Sequence, residues 1–205
     1  MKLYYAPGAC SLAPHIVARE AGLALDIERV DLKNRTTESG QSFAAINPKG
    51  YVPALRLDNG EVLTEGPAIV QYIADLAPEK QLAPAAGTFE RVRLQEVLNF
   101  ISTELHKGFS PLFRKECPEE WKEVVRANLG RRFADLDAQL GARQFLLGDR
   151  FTIADGYLFT VLGWTRFVNY DLAPYPNLVA YQQRVAARPA VHAALEAEGL
   201  IKRSA

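Results

Sequence analysis

The spacing of apolar residues changes near residue 80, and that change limits the folds open to the chain. Before it, strand and helix patterns alternate. Leu3-Tyr4-Tyr5 is a short β-prone run broken by Ala6-Pro7-Gly8. Residues 11 to 21 carry Leu12, Ile16 and Val17 at helical spacing, and Gly22 follows where a residue at positive φ ends a helix. Leu25, Ile27 and Val30 indicate a second strand, and residues 31 to 50 are polar and irregular. Leu55 and Leu57 alternate with polar neighbours. Asn59-Gly60 is the pair a type I′ hairpin turn favours, and Val62-Leu63 returns as the partner strand. Ile69, Tyr72, Ile73 and Leu76 recur at i, i+3, i+4 and i+7, with Pro67 in the first turn and Pro78 after the last. The expected order is β-α-β-loop-β-β-α.

Residues 79–88, rich in Pro, Ala and Gly, read as a linker. Beyond them the strand signal nearly vanishes. Leu94, Leu98, Ile101 and Leu105 mark one helix face. Pro118 opens a second helix, with the stripe Val125, Leu129, Phe133, Leu136 and Leu140 and a stop at Gly141. Thr152-Ile153-Ala154-Asp155 is a capping-box variant before a third apolar run. Leu178, Tyr181 and Val185 mark a fourth helix stopped before Pro189, and residues 190 to 198 form a short last one. The expectation is an α/β domain over residues 1–78 and an all-helical domain over 89–205.

Composition narrows the partners. The chain has 205 residues, with 24 Lys plus Arg against 24 Asp plus Glu. Such a balance argues against a nucleic-acid binder and against a polybasic membrane anchor. No apolar run approaches the ~20 residues that span a bilayer. With two cysteines a disulfide scaffold is excluded, and the N-terminus lacks a signal-peptide core. The expected setting is cytoplasmic, with Cys10 as a thiol.

Cys10 stands between a strand and a helix, where the positive helix end favours a thiolate. An unperturbed thiol is only about 3% ionised at pH 7, and a helix end shifts it by under about one unit. A useful thiolate would need a second donor, and the alternative is a small residue packing the first turn. Position 13 is Ala13, so there is no dithiol motif, and a reacting Cys10 would take its second sulfur from a ligand. Cys117, beside Glu116, Glu119 and Glu120, reads as inert. Thr64-Glu65-Gly66-Pro67 opens a helix. Its backbone N–H groups suit a carboxylate while Glu65 suits an ammonium, although a plain cap is the commoner role. Asn99, Ser102, Thr103 and His106 share a polar stripe beside Lys107, ordinarily a solvated face. Three histidines without ligand spacing speak against a metal site. His15 and His192 read as packing or surface residues.

Taken together, Tyr5 and Cys10 after the first strand, Val52-Pro53 before the hairpin, Glu65-Gly66, Glu104-Leu105-His106-Lys107, the Thr152-to-Asp155 cap and Arg188-Pro189-Ala190 resemble a cytosolic glutathione S-transferase, most closely the bacterial beta class. The resemblance covers nearly the whole chain. It implies a thioredoxin-like N-terminal domain, an all-helical C-terminal domain, a homodimer and a site at the domain cleft. Cys10 would face the glutathione sulfur and could form a mixed disulfide with it. Tyr5 would hold the place of the catalytic tyrosine of other classes. Ser11 and His106 are further donors to the sulfur, and Lys107 approaches the same side. Tyr51 and Val52 would bind the tripeptide, Val52 through its backbone, with Pro53 cis. Glu65 and Gly66 would hold the γ-glutamyl end and Arg35 the glycyl carboxylate. Asn99 and Glu104 would reach a ligand in the partner subunit. Phe109, Phe113 and Trp164 would wall the electrophile site, unless they are core. Position 66 is often Ser in the family, and Gly66 lacks that hydroxyl. With Phe151 and Gly156 at its two positions, the hydrophobic staple beside the Thr152 cap also lacks its second side chain.

The function expected from this resemblance is conjugation of glutathione to small hydrophobic electrophiles. Glutathione is then a substrate, and no cofactor or metal is needed. The alternatives are thiol-disulfide exchange or reductive dehalogenation through a mixed disulfide at Cys10, and non-catalytic binding of hydrophobic ligands.

Overall fold

The computed structural model describes residues 1–202. They form two compact units: Met1–Ala83 together with the stretch from Ala187 onward, and Pro84–Ala186. In the first unit the elements run β1 (Lys2–Tyr5), α1 (Leu12–Glu20), β2 (Asp26–Asp31), β3 (Thr36–Thr37), α2 (Phe43–Ile46), β4 (Ala54–Arg56), β5 (Val62–Thr64) and α3 (Gly66–Asp75). The sheet order is β3-β2-β1-β4-β5. Strands β1 and β2 are parallel, with Leu3 opposite Ile27, and need a crossover, which α1 supplies. β4 is antiparallel to β1, with Leu3 opposite Leu55. This is the thioredoxin-like arrangement expected.

Local chemistry explains these elements. α1 stops because Gly22 takes φ 69°, which lets its N–H bond Arg19 O and that of Leu23 bond Ala18 O. Alternation along β1 sends Tyr4 to one face of the sheet, into a cluster with Val30, Phe43, Ile46, Val52 and Ala54. Tyr5 points to the other face, where its ring meets His15 of α1.

Three sequence expectations are corrected here. Residues 31 to 50 contain β3 and the one-turn helix α2, which exists to deliver Phe43 and Ile46 to the Tyr4 cluster. Elements of two and four residues are too short to show a period. The hairpin does not use a type I′ turn. Only Gly60 takes positive φ (88°), and Gly60 N–H bonds Leu57 O while Leu57 N–H bonds Glu61 O. That is a three-residue loop with glycine at the left-handed position. Finally, the last helix, α9 (Pro189–Ala197), packs on α1 and belongs to the first unit rather than the helical one. Its buried Val191, Ala194 and Leu195 would suit either unit. Polar contacts decide: Arg188 grips Glu20 with two bonds of 2.6 and 2.7 Å, and Glu198 pairs with His15.

The second unit holds α4 (Phe89–Phe100), a π-helical turn (Ile101–His106), α5 (Lys107–Phe109), a 3₁₀ turn (Ser110–Phe113), α6 (Glu119–Leu140), α7 (Ile153–Leu162) and α8 (Pro176–Ala186). The residues of the expected stripes on α4, α6 and α8 are all buried. α7 is buried on every side, so its polar cap must be satisfied internally. Asp155 does this: one carboxylate oxygen accepts from the Thr152 N–H and hydroxyl, the other from the Leu146 N–H and the Tyr181 hydroxyl. Burial nevertheless raises its pKa, against the pull of those bonds. Phe151 packs edge-to-face on Phe145, 5.9 Å away, in place of a staple residue at Gly156.

On the sheet, Glu28 is buried and accepts from Ser39 Oγ at 2.5 Å and Lys2 Nζ at 2.9 Å. Burial opposes its ionisation, but hydrogen bonds from Ser39, Thr37 and Lys2 outweigh it and hold the pKa at about 2, from 4.5. A depressed carboxylate contributes stability above its unfolded pKa, and that contribution is lost as pH falls through the folded one. We therefore expect the stability advantage of wild type over Glu28→Gln in urea unfolding to shrink steadily from pH 4.5 down toward pH 2. A pH-independent difference would contradict the assignment.

Candidate active site

The loop Ala6–Ser11 between β1 and α1 is wound on itself. Ala9 N–H bonds Ala6 O, and Leu12 N–H bonds Ala9 O. Ser11 is fully buried; its hydroxyl accepts from Ala6 N–H at 3.1 Å and donates to Ala6 O at 3.2 Å. Ser11 therefore shapes the loop, in place of the donor role expected for it. Gly8, at φ 70°, turns its N–H to Glu198, 2.9 Å away. The other Glu198 oxygen meets His15 Nδ1 at 2.9 Å, and Arg19 Nε reaches His15 Nε2 at the same distance. Arginine can only donate, so Nε2 accepts, and the proton on Nδ1 goes to Glu198.

Cys10 is half-buried, and its thiol donates to Val52 O at 3.2 Å. That contact is one the protonated sulfur can make. Tyr5 is buried, and its phenol pKa is raised, first by burial and then by Glu198 and Glu38, with Arg29 opposing. It stays a neutral hydroxyl. The Val52–Pro53 bond is cis, as the resemblance implied. Tyr51 is exposed and gives its carbonyl to Asn47. Arg35 is exposed at φ 55°, with its carbonyl held by Phe43 N–H.

Glu65 adopts φ 69° at the N-cap of α3, a conformation rare for a side-chain-bearing residue and a mark of functional loops. Its carboxylate is exposed and pairs with Lys49 Nζ at 3.1 Å, which also reaches Thr64 Oγ1 at 3.2 Å. Gly66 begins the helix, and a Cβ there would touch nothing within 4 Å.

In the second unit the π-helical turn ends at His106. Its Nδ1 lies 2.6 Å from the Tyr157 hydroxyl, and its ring stands edge-to-face on Trp164 at 4.8 Å. Lys107 is exposed and lines a cavity of about 460 Å³ with Ser110, Pro111, Arg114, Cys117 and Trp121. Phe109 is fully buried against Phe133 and Trp164, so it is core and no pocket wall. Trp164 is also buried, whereas Phe113 is half exposed. Asn99 is exposed, and its carbonyl accepts from Thr103. Glu104 is taken by Arg132, whose Nε and a terminal nitrogen reach one oxygen at 2.9 and 2.6 Å.

The family profile described as "Glutathione S-transferase, N-terminal domain" matches residues 8–76, and that described as "Glutathione S-transferase, C-terminal domain" matches residues 100–189. The chain is 50% identical over 200 residues to glutathione S-transferase GstA of Escherichia coli O157:H7, covering 98% of this chain and 100% of that one. The chain belongs to the glutathione S-transferase family. Among solved structures it is similar to the ternary complex of BphK, a bacterial transferase, at 58% identity and TM-score 0.96, covering 97% and 100% of the two chains. It is also similar to the bacterial beta-class transferase of Sphingomonas chungbukensis, at 50% identity and TM-score 0.95, over 98% and 100%. The resemblance read from the residues is thereby met by relatives of the same class.

Within this transferase fold three contributors, Glu198, Lys49 and Tyr157, went unread in the sequence. His15, read there as a packing or surface residue, is buried against Tyr5 and meets Glu198 across 183 residues. The i,i+4 pair His15 and Arg19 on α1 was the available signal. Lys49 and Tyr157 left none, because each meets its partner only through the tertiary fold. Among the described residues no group of three or more potential metal ligands occurs, and no helix is long and apolar enough to cross a membrane.

Replacing Glu198 by Ala would strand two buried donors, the Gly8 N–H and the His15 Nδ1–H. We expect a loss of ~2–5 kcal/mol in urea unfolding. A loss under about 1 kcal/mol would show that the network does not support the fold.

Proposed function

We propose that the chain conjugates the thiol of glutathione to small hydrophobic electrophiles, with glutathione as substrate and no cofactor. Family membership supports this, and so does the α3 N-terminus. The exposed Glu65 carboxylate stands there beside the open first turn at Gly66. An amino-acid head group carries an ammonium and a carboxylate side by side and matches that pair. In this reading Glu65 and Gly66 bind the γ-glutamyl end, Val52 the cysteinyl backbone with Tyr51 beside it, and Arg35 the glycyl carboxylate. Lys49 already pairs with Glu65 and must release it when the ligand ammonium arrives.

Catalysis consists of binding glutathione, favouring its thiolate and holding the electrophile near it. Tyr5, kept neutral by burial, is a donor suited to an anionic sulfur, and the Cys10 thiol can join it by turning its proton from Val52 O. His106 and Lys107 serve the same sulfur, and the half-exposed Phe113, backed by the buried Trp164 ring, receives the electrophile. A mixed disulfide would need Cys10 as a thiolate, while its proton is engaged by Val52 O. Family membership favours conjugation over exchange, dehalogenation and passive binding. The protein acts as a cytoplasmic homodimer, with the exposed apolar Phe89 and Val92 of α4 available for a second copy and Asn99 and Glu104 nearby in sequence.

Steady-state assays with glutathione and a chlorinated aromatic acceptor, run beside a mixed-disulfide substrate, test this. Wild type should turn over the acceptor. Cys10→Ala should lose any disulfide exchange yet keep conjugation within about tenfold of wild type, since one donor hydrogen bond is worth ~1 kcal/mol and a water or neighbour can replace it. Absence of conjugation with glutathione still bound would overturn the proposal in favour of a binder. Complete loss in Cys10→Ala alone would favour the covalent route.

A further inference from the structure

His106 is held by a residue that no sequence pattern connects to it. Tyr157 lies on α7, which is buried along its whole length and pinned at its start by the Asp155 network. The tyrosine is 2% exposed, and its hydroxyl lies 2.6 Å from His106 Nδ1. The Trp164 ring fixes the imidazole from a second side, edge-to-face at 4.8 Å, and the Tyr157 ring meets it at 5.9 Å and 79°. On its own element, His106 closes the π-helical turn Ile101–His106, a local rewinding of the kind that re-aims side chains at functional sites. The histidine is therefore fixed in orientation as well as in place.

Two directions are open to this 2.6 Å contact, and the acid–base character of the groups favours one of them. A phenol O–H is a stronger acid than the N–H of a neutral imidazole, and an imidazole nitrogen is a stronger base than a phenol oxygen. The stronger bond therefore has the phenol as donor and Nδ1 as acceptor. A neutral imidazole accepting at Nδ1 carries its proton on Nε2.

We propose that Tyr157 is a positioning residue: its hydroxyl donates to His106 Nδ1 and holds the imidazole in the tautomer that presents Nε2–H. This rests on the reading above, in which His106 serves the sulfur of glutathione. A neutral ring offering an N–H stabilises a thiolate by hydrogen bonding, whereas the opposite tautomer would turn a lone pair toward it. No proton is transferred in this role. The histidine is a donor throughout, and the electron pair that forms the new carbon–sulfur bond comes from glutathione.

The test uses the intact protein in two measurements. Long-range proton–nitrogen correlation spectra of the uniformly ¹⁵N-labelled chain, which has three histidines, report the tautomer of each ring. His106→Gln identifies the signal. In wild type His106 should be protonated at Nε2, and in Tyr157→Phe it should become a mixture of tautomers. The second measurement is the pH profile of conjugation with the chlorinated aromatic acceptor. Tyr157→Phe should lower the rate at neutral pH by ~2- to 10-fold, the worth of one net hydrogen bond, and move the profile to higher pH. A merely structural role would lower stability without moving the profile.

A wild-type spectrum with the proton on Nδ1 would overturn the proposal without any variant having to fold. An unchanged tautomer in Tyr157→Phe would overturn it equally. If the tautomer is as proposed but His106→Gln conjugates at the wild-type rate, the role of His106 at the sulfur fails, and the catalytic half of the proposal falls with it. Full agreement of both measurements supports it.

Discussion

One buried carboxylate, that of Glu198, governs the geometry of the first unit. It lies past the end of α9 and takes two donors, the Gly8 N–H and the His15 imidazole. Removing a carboxylate from water costs several kcal/mol unless its lone pairs are filled, so a partner loss on either side is expensive. The same contacts bring the last helix of the chain onto the first and set the turn before Cys10. The loop Ala6–Ser11 is thus held at Gly8 by Glu198 and at Ala6 by the Ser11 hydroxyl. Gly8, two residues before Cys10, is thus tied to a residue 190 positions further along.

From that fixed loop the chemistry follows a consistent logic. The Cys10 thiol lies within bonding distance of a carbonyl, and the Tyr5 phenol is kept neutral by burial. In the proposed reading both stabilise an anion that belongs to the substrate. The α3 N-terminus presents the exposed Glu65 carboxylate, paired within the protein with the Lys49 ammonium. Glu65 accepts an unfavourable backbone conformation to hold that carboxylate out.

Much of this was legible in the sequence, for identifiable reasons. The stripes Leu94–Leu105 and Val125–Leu140 repeat over several turns, and each of their members is buried. Gly22 ended α1, and Asp155 capped α7, because these signals are local. Cys10, Val52-Pro53 and Glu65-Gly66 stood out as a family pattern rather than through any period. What escaped is tertiary. The residues of α9 carry an apolar face that fits either unit, and only Glu20, His15 and Gly8, far away in sequence, decide where it packs. Phe109 looked the same as Phe113 on spacing, yet one is sealed in the core and the other half exposed. Asn59-Gly60 named a turn but not its type, because the loop takes a third residue and only the glycine goes left-handed. Lys49 and Tyr157 find their partners across 16 and 51 residues, beyond any pattern of spacing.

The central claim is that the loop carrying Cys10 is set before any ligand arrives, by Glu198. Hydrogen exchange of the Gly8 amide in the unliganded protein measures this directly. That N–H is buried and bonded to a carboxylate, so its protection should match that of the β1 amides, which open only with global unfolding. Exchange at the rate of an exposed loop would contradict the account.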